Sequence, residues 1–202
     1  MPFGFVLVGG RSVRMGRDKT RLQYRGQAMA LHQARKLAFV CGRSALVGKD
    51  RRLFSDLGVP FVEDASEPVA VAYGVLAALA YSPDDTNLIL ASDVPRVPEA
   101  FLAALLEVAE AMPAPAVVPI SGGRPQTLCA VWRRSALVPL TARVAAGELS
   151  LVRALSGLGA ILIPESETAA MPGGEPENFF NVNTPEDYNA LEDETRPYAS
   201  RR

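Results

Sequence analysis

Short apolar strands alternate with helices along almost the whole chain, and this alternation restricts its fold more than any other feature. The patterns predict strands at 3–8, 44–48, 59–64, 87–91, 114–120, 126–133 and 159–164. They predict helices at 28–40, 51–58, 69–82, 97–112, 134–146 and 150–157, and a last helix that begins at Pro185. Alternating strands and helices favour an α/β fold of the Rossmann-like kind, a mostly parallel sheet with helices on both faces.

The length and composition are those of an ordinary globular protein. The chain has 202 residues, of which 49% are hydrophobic and 21% charged, so we expect one domain over 1–202. The segment 164–178 is rich in Pro, Gly and Glu and is predicted to be a mobile loop. The tail, 196–202, is predicted to be disordered.

Charge and cysteine content exclude several classes of protein. The net charge is -1, so the chain lacks the overall basic field of a nucleic-acid binder. No apolar run approaches the roughly 20 residues of a membrane helix, and the first residues lack the cationic start of a signal peptide. Cys41 and Cys129 form no CxxC pair, which argues against a disulfide framework or a zinc site and predicts a cytoplasmic protein.

Polar segments follow three of the predicted strands. They are the residues 9–19, Asp64, and the residues 92–95. In open α/β sheets, ligands bind beyond the carboxyl ends of the strands. We therefore expect these three segments to share one crevice.

The first of these segments, "GGRSVRMGRDK", has the residues of a phosphate-binding loop. Gly9 and Gly10 allow a tight turn in which backbone N–H groups approach a ligand closely. Cationic donors for phosphate oxygens are supplied by Arg11, Arg14, Arg17 and Lys19. The spacing of the glycines fits neither GxGxxG nor the P-loop GxxxxGK[ST].

The motif "LVGGRSVRMGRDK" closely resembles LxGGxSxRMGxDK of the molybdenum cofactor guanylyltransferases, nucleotidyltransferases with a nucleotide-diphospho-sugar transferase-like fold. The matching positions are Leu7, Gly9, Gly10, Ser12, Arg14, Met15, Gly16, Asp18 and Lys19. "ASDVP" resembles the family's D-x-P element, and "FFNVNTPEDY" resembles its N-[IV]-N-T-P-E-D segment. "AVAYG" keeps only Gly74 of the family's G-P-L-x-G. The resemblance covers about residues 3–191.

The resemblance implies that a terminal phosphate oxygen of molybdopterin attacks the α-phosphorus of GTP and releases pyrophosphate. The implied catalytic residues are Lys19, Arg14 and Asp93, and Asp93 is also the implied Mg²⁺ ligand. The implied nucleotide-binding residues are Leu7, Val8, Gly9, Gly10, Ser12, Lys19, Asp64 and Asp93. Asn181 and Asn183 are implied to bind the acceptor or to support the metal. On this hypothesis residues 1–95 mainly bind the nucleotide and residues 96–195 the acceptor.

Several residues outside the main motifs are either excluded from catalysis or have both a structural and a functional interpretation. Because a phosphate with a second pKa of about 6 is already ionised, the reaction needs no general base, and His32 is predicted to be a partly exposed helix residue. Asp64 has the alternative role of a helix cap. The run 49–52 is either a solvated helix start or a nucleotide contact, and Arg124 lies either near the pterin phosphate or in a plain turn. Trp132 is predicted to lie in the core.

Other functions remain open at this stage. The nearest is a cytidylyltransferase for the same pterin, followed by a sugar- or polyol-phosphate nucleotidyltransferase. A non-catalytic nucleotide-binding scaffold in cofactor assembly is a third. The expected partners are GTP, molybdopterin, and proteins that deliver molybdopterin or mature molybdoenzymes, with neither nucleic acid nor membrane among them.

Overall fold

The computed structural model describes residues 1–8, 21–64 and 69–195. The strands are β1 (Phe3–Leu7), β2 (Gln23–Tyr24), β3 (Gln27–Ala28), β4 (Ser44–Gly48), β5 (Phe61–Glu63), β6 (Thr86–Ala91), β7 (Ala116–Ser121), β8 (Arg124–Pro125), β9 (Cys129–Arg133) and β10 (Ile161–Ile163). The α-helices are α1 (Met29–Cys41), α2 (Val71–Tyr81), α3 (Glu99–Glu110), α4 (Leu137–Ala145), α5 (Leu151–Leu155), α6 (Glu165–Ala170) and α7 (Pro185–Thr195). Short 3-10 helices lie at Arg51–Leu57, Arg134–Ala136 and Pro176–Phe179.

One mixed sheet organises the fold, in the order β10–β7–β9–β6–β1–β4–β5, with β8 paired to β7. Strands β1, β4, β5 and β6 pair in parallel, as do β7 and β10. Strand β9 runs antiparallel to both of its neighbours, β6 and β7. The predicted Rossmann-like, mostly parallel sheet is confirmed.

Two hydrophobic layers cover the two faces of this sheet. Along β1, Val6 points into the layer that holds Leu37 of α1 and residues of α3. Phe5 and Leu7 point into the opposite layer, together with Val75 of α2 and residues of α4 and α5. Because side chains alternate across a strand, one apolar run such as 3–8 serves both layers.

The prediction of a loop over 164–178 is wrong. Helix α6 and the 3-10 helix Pro176–Phe179 occupy most of it. Thr168 is buried and its hydroxyl donates to the carbonyl of Ile163. A Cβ at Gly174 would lie 1.8 Å from the carbonyl oxygen of Thr168. The glycine therefore permits close packing here, whereas its presence in the sequence had indicated a loop.

A two-stranded hairpin that the sequence patterns did not predict precedes α1. Its strands β2 and β3 are joined by Arg25 and Gly26, with φ angles of 50° and 77°. Two consecutive residues of positive φ are typical of a tight two-residue hairpin turn. The hairpin leads directly into α1, because Met29 donates its N–H to the carbonyl of Leu22.

Among the helices in the described ranges, none combines the length and the apolar character that crossing a bilayer requires. The predicted disordered tail, 196–202, lies outside the described residues.

Candidate active site

The carboxyl ends of the parallel strands β1, β4, β5 and β6 meet at one edge of the sheet. Two of the three segments expected to share a crevice, Asp64 and residues 92–95, follow strands at this edge, and the third, 9–19, lies outside the described residues. Val8, directly after β1, donates its N–H to the carbonyl of Val47 in β4, with 2.9 Å between nitrogen and oxygen. Ser92, directly after β6, donates to the carbonyl of Leu7 at 3.2 Å. These backbone bonds place the residues after β6 beside the strand that leads into the 9–19 segment.

Asp64 joins the same edge from β5. Its N–H donates to the carbonyl of Gly48 at 2.8 Å, and its side chain is buried. Lys49 Nζ lies 3.6 Å from Asp64 Oδ1. Helix α2 starts only at Val71 with Ala70 as its N-cap, so Asp64 is not the cap of this helix. The run 49–52 thus has two roles, since Lys49 pairs with Asp64 while Asp50 caps the 3-10 helix that follows.

Two glycines keep this edge compact. A Cβ at Gly48 would lie 2.8 Å from the carbonyl oxygen of Val8. A Cβ at Gly74, the retained position of "AVAYG", would lie 3.1 Å from Leu7 Cδ2 and 4.0 Å from Asp64 Oδ2. Contacts under 3.4 Å are tight for a Cβ, so both positions favour glycine for reasons of space.

Asp93 lies in the turn that follows β6 and is partly exposed. Its carbonyl oxygen accepts a hydrogen bond from the N–H of Val182 at 2.9 Å. Within the described residues, no three or more His, Cys, Asp or Glu side chains lie close enough together to bind a metal ion. Mg²⁺ needs only one or two carboxylates when substrate oxygens and water complete its shell, so a strand-end carboxylate such as Asp93 fits such an ion.

The segment around Val182 brings both predicted acceptor-binding residues to this edge. Val182 is fully buried, in a cluster with Tyr24 and Met29, whereas Asn181 and Asn183 on either side of it are exposed. Alternation along an extended segment therefore directs both asparagine side chains away from the core. The structure brings Asn181 and Asn183 next to Asp93 through the backbone bond of Val182.

The residues "NTPED" form an N-terminal cap for α7. Asp187 Oδ2 accepts from the N–H groups of Asn183 and Thr184, at 2.9 and 2.8 Å. The N–H of Asp187 donates in return to Thr184 Oγ1 at 3.1 Å. This reciprocal pattern is a capping box, with Pro185 at the first helical position. Desolvation is the largest single effect and acts to raise the pKa of Asp187, but the hydrogen bonds with Asn183 and Thr184 together outweigh it and lower that pKa.

The prediction that His32 is partly exposed is wrong. It is 9% exposed, its Nδ1 lies 3.1 Å from Gln27 Nε2, and its ring packs edge-on against Tyr24. Burial, followed by the charges of Lys36 and Arg25, lowers its pKa to about 4. The imidazole is therefore neutral near pH 7.

Sequence reasoning missed two more buried polar residues of α1, Gln33 and Lys36, which point to the segment after β6. The available signal was two polar residues, three apart, within the apolar stripe of α1. By contrast, Trp132 is fully buried, as predicted. Arg124 is exposed in β8, and its contact with a pterin phosphate stays a prediction.

Five predicted site residues lie outside the described residues. They are Gly9, Gly10, Ser12, Arg14 and Lys19. Their assignment to phosphate binding stays a prediction. The described neighbours of this segment, Leu7 and Val8, lie at the edge of the sheet that also holds Asp64 and Asp93.

A comparison with protein families finds the MobA-like NTP transferase domain matching residues 4–160. The chain belongs to the MobA-like NTP transferase family. The resemblance seen in the motifs is confirmed, and this MobA-like protein is a nucleotidyltransferase.

Two curated relatives are similar over nearly the full length. A probable molybdenum cofactor guanylyltransferase of Chloroflexus aggregans is 34% identical over 193 residues, covering 93% of this chain and 91% of the relative. A molybdenum cofactor guanylyltransferase of Rhodobacter capsulatus is 32% identical over 204 residues, covering 97% of each chain.

A solved structure shares the fold of this MobA-like protein. The molybdopterin-guanine dinucleotide biosynthesis protein A of Archaeoglobus fulgidus superposes with a TM-score of 0.81 at 25% identity. The match covers 96% of this chain and 97% of that one.

Proposed function

We propose that this MobA-like protein transfers GMP from GTP to the terminal phosphate of molybdopterin, forming the guanine dinucleotide cofactor and pyrophosphate. The observation that carries the proposal is the backbone bond between Val182 and Asp93, because it joins the predicted acceptor segment to the predicted metal ligand. The names of the relatives, guanylyltransferases of the molybdenum cofactor, support the same reaction.

The nucleotide end of the site is assigned to residues 1–95. The backbone of Leu7 and Val8 would contact base and ribose, and Gly9, Gly10 and Ser12 would approach the phosphates. Asp64 is held in place by Lys49 and by its own backbone bond, so it presents a fixed oxygen acceptor toward the nucleoside. Lys19 and Arg14 would hold the triphosphate and offset the charge that develops on pyrophosphate.

A divalent metal ion is typical of nucleotidyltransferases of this family, and we propose Mg²⁺. Asp93 is the residue that would hold it. When bound, such an ion neutralises phosphate charge and aligns the reacting phosphate. The hydrogen bond from Val182 fixes the backbone of Asp93, which limits how far its carboxylate can move.

The acceptor end is assigned to residues 96–195, with Asn181 and Asn183 as hydrogen-bonding side chains for the pterin. The attacking phosphate oxygen is already ionised near neutral pH. We assign no base role to His32, because it is buried, its Nδ1 lies within hydrogen-bond distance of Gln27, and its pKa of about 4 makes it a weak base. The chain's own residues therefore align two anions and compensate their charge.

The setting of the reaction is proposed as the cytoplasm, with molybdopterin-delivering and molybdoenzyme-maturation proteins as partners. Cys41 and Cys129 are free and buried thiols, which fits a reducing compartment.

A transfer assay tests the function. Purified protein, molybdopterin and Mg²⁺ are incubated with GTP, CTP or ATP, and the dinucleotide product is measured. We expect product from GTP only, and loss of product in Asp93→Asn. Asp85→Asn is the matched control, because Asp85 lies at the opposite end of β6, where it is exposed and pairs with Arg133.

Three other results contradict the proposal in different ways. Product from CTP alone would identify a cytidylyltransferase. Binding of GTP without any product would favour a non-catalytic scaffold. Equal activity of Asp93→Asn and Asp85→Asn would remove Asp93 from the reaction.

A further inference from the structure

Two side chains of α1 donate hydrogen bonds to the segment 91–97, which contains Asp93. Gln33 Nε2 donates to the carbonyl of Val94 at 2.8 Å and to that of Ala91 at 3.3 Å. Lys36 Nζ donates to the carbonyls of Pro95 and Val97, each at 2.6 Å. These four carbonyls lie on both sides of Asp93 in the sequence.

Both side chains are removed from solvent. Gln33 is 0% exposed and Lys36 is 5% exposed. Residues three apart lie on the same side of a helix, so the two act on one segment together. The other buried residues on this side of α1 are mostly apolar, including Ala30, Ala34 and Leu37.

Burial of a lysine in this space is energetically unfavourable. Burial disfavours the ammonium form and lowers the pKa of Lys36 to about 8. A methionine of similar length would fill the same volume without this cost. What lysine adds is hydrogen-bond donors for the carbonyls of Pro95 and Val97, which lie between β6 and α3. The carboxylate of the same segment needs a fixed position.

We propose that Gln33 and Lys36 are positioning residues that fix the backbone of residues 91–97 and thereby hold the Asp93 carboxylate in its metal-binding position. This inference rests on the proposed function of Asp93. It adds two residues of α1, far from the site in sequence, to the machinery of nucleotidyl transfer. Their effect is on metal-dependent steps, whereas metal-free nucleotide binding does not depend on them.

Lys36→Met and Gln33→Met test the inference, because each removes the donor and keeps a side chain of similar length. Calorimetric titration with GTP, with and without Mg²⁺, gives the factor by which Mg²⁺ strengthens GTP binding. We expect this factor to fall by about 10- to 100-fold, the usual effect of residues that orient a metal ligand. The affinity for GTP without metal should stay unchanged. In the transfer assay, which contains Mg²⁺, kcat should fall and KM for GTP should rise with the weaker binding of GTP.

Leu37→Val is the matched control. Leu37 is fully buried in the same helix, but it packs toward Gly4 of β1 and makes no hydrogen bond to residues 91–97. Leu37→Val lowers stability without removing a hydrogen bond to residues 91–97, so it should keep the wild-type Mg²⁺ factor. In an Asp93→Asn background, Lys36→Met should cause no further loss of the Mg²⁺ factor, because the residue it positions is already gone.

Several results would overturn the inference. One is a folded Lys36→Met protein that keeps the wild-type Mg²⁺ factor and the wild-type kcat. Another is a Leu37→Val protein that has the same unfolding midpoint as Lys36→Met and loses as much of the Mg²⁺ factor. A wild-type protein whose GTP binding does not respond to Mg²⁺ also overturns it. If wild type makes no dinucleotide but responds to Mg²⁺, the proposed function fails while the positioning test still stands. If Lys36→Met does not fold, Gln33→Met, which removes only a neutral amide, decides the matter.

Discussion

The backbone N–H of Val182 donates a hydrogen bond to the carbonyl oxygen of Asp93, with 2.9 Å between the two atoms. The two residues come from opposite halves of the sequence. Val182 is anchored in a buried cluster with Tyr24 and Met29, so the segment that presents Asn181 and Asn183 cannot shift without affecting Asp93. A change in the acceptor segment should therefore alter the position of the proposed metal ligand, Asp93.

Replacement of Asp187 by alanine should loosen this acceptor segment. The change removes the acceptor for the N–H groups of Asn183 and Thr184, and loss of such a cap costs about 1 kcal/mol of unfolding free energy. We expect a higher KM for molybdopterin and an unchanged Kd for GTP, measured by the transfer assay and by calorimetry. Glu186→Ala, an exposed change in the same helical turn, is the control and should alter neither.

The same variant should show a defined pH dependence. The pKa of Asp187 is lowered in the folded protein, so its carboxylate stabilises the fold above the unfolded pKa of about 3.9. This stabilisation is lost as the pH falls through the lowered folded pKa. The difference in unfolding free energy between wild type and Asp187→Ala should therefore shrink in acid, and a constant difference would contradict the ionic role of the cap.

Alanine at Gly48 should be more damaging than alanine at Gly74. The new Cβ at 48 would meet a backbone oxygen of Val8 at 2.8 Å, which cannot move alone, whereas at 74 it meets the flexible end of Leu7. We expect Gly48→Ala to cost about 1–3 kcal/mol of unfolding free energy and Gly74→Ala clearly less. Denaturant unfolding measures both values, and the reverse order would mean that the contact with Val8 is relieved by movement of β1.

Loss of Lys49 should weaken nucleotide binding through Asp64. The pair is mostly buried, with side-chain exposures of 30% and 8%, so the loss of Lys49 removes a positive charge from beside a buried carboxylate. We expect Lys49→Met to cost about 1–2 kcal/mol of stability, below the 3–5 kcal/mol of a fully buried pair, and to lower GTP affinity in calorimetry. Asp64→Asn should lower GTP affinity as well.

The neighbouring pair provides the control for this prediction. Arg51 Nε and Glu63 Oε1 are also 3.6 Å apart, but both side chains are more than half exposed. Exposed pairs contribute little to stability, so Glu63→Gln should leave stability and GTP affinity unchanged. Equal losses in Glu63→Gln and Asp64→Asn would show that the net negative charge at this edge matters and not the position of Asp64.

Replacement of His32 by glutamine should make the protein more tolerant of acid. The unfolded chain takes up a proton on His32 near pH 6.5, whereas the folded chain does so only near pH 4. Wild-type stability is therefore lost as the pH falls between these values, by on the order of 3 kcal/mol from this residue. Between these pH values, the unfolding free energy of His32→Gln, measured by denaturant unfolding, should fall less than that of wild type. The same dependence of unfolding free energy on pH in both proteins would mean that His32 is charged inside the fold.

Regular patterns made the sheet and its edge predictable from sequence. The run 3–8 alternates between two layers, and strands of this kind end where a polar segment begins, as at Asp64 and Asp93. These positions depend on local periodicity and on the general rule for parallel sheets. The bond between Val182 and Asp93 has no such local signature, because it depends on how two distant segments pack.

Other features escaped prediction for physical reasons. Helical periodicity treats every polar side chain as exposed, so the buried His32, Gln33 and Lys36 were missed. The content of Pro and Gly over 164–178 indicated a loop, yet Gly174 is there to let the backbone pass Thr168. The hairpin at 23–28 has strands of two residues each, too short for any alternation to register.

The strand β9 also supplies the protein with an intrinsic optical reporter. Trp132 is the only tryptophan of the chain, is fully buried, and donates from Nε1 to the carbonyl of Thr127. It lies opposite Asn87 on one side and Ala116 on the other, at the seam between the two halves of the sheet. Its fluorescence emission therefore reports whether β9 is paired with β6 and β7. No other indole contributes to this signal, and no added label is needed.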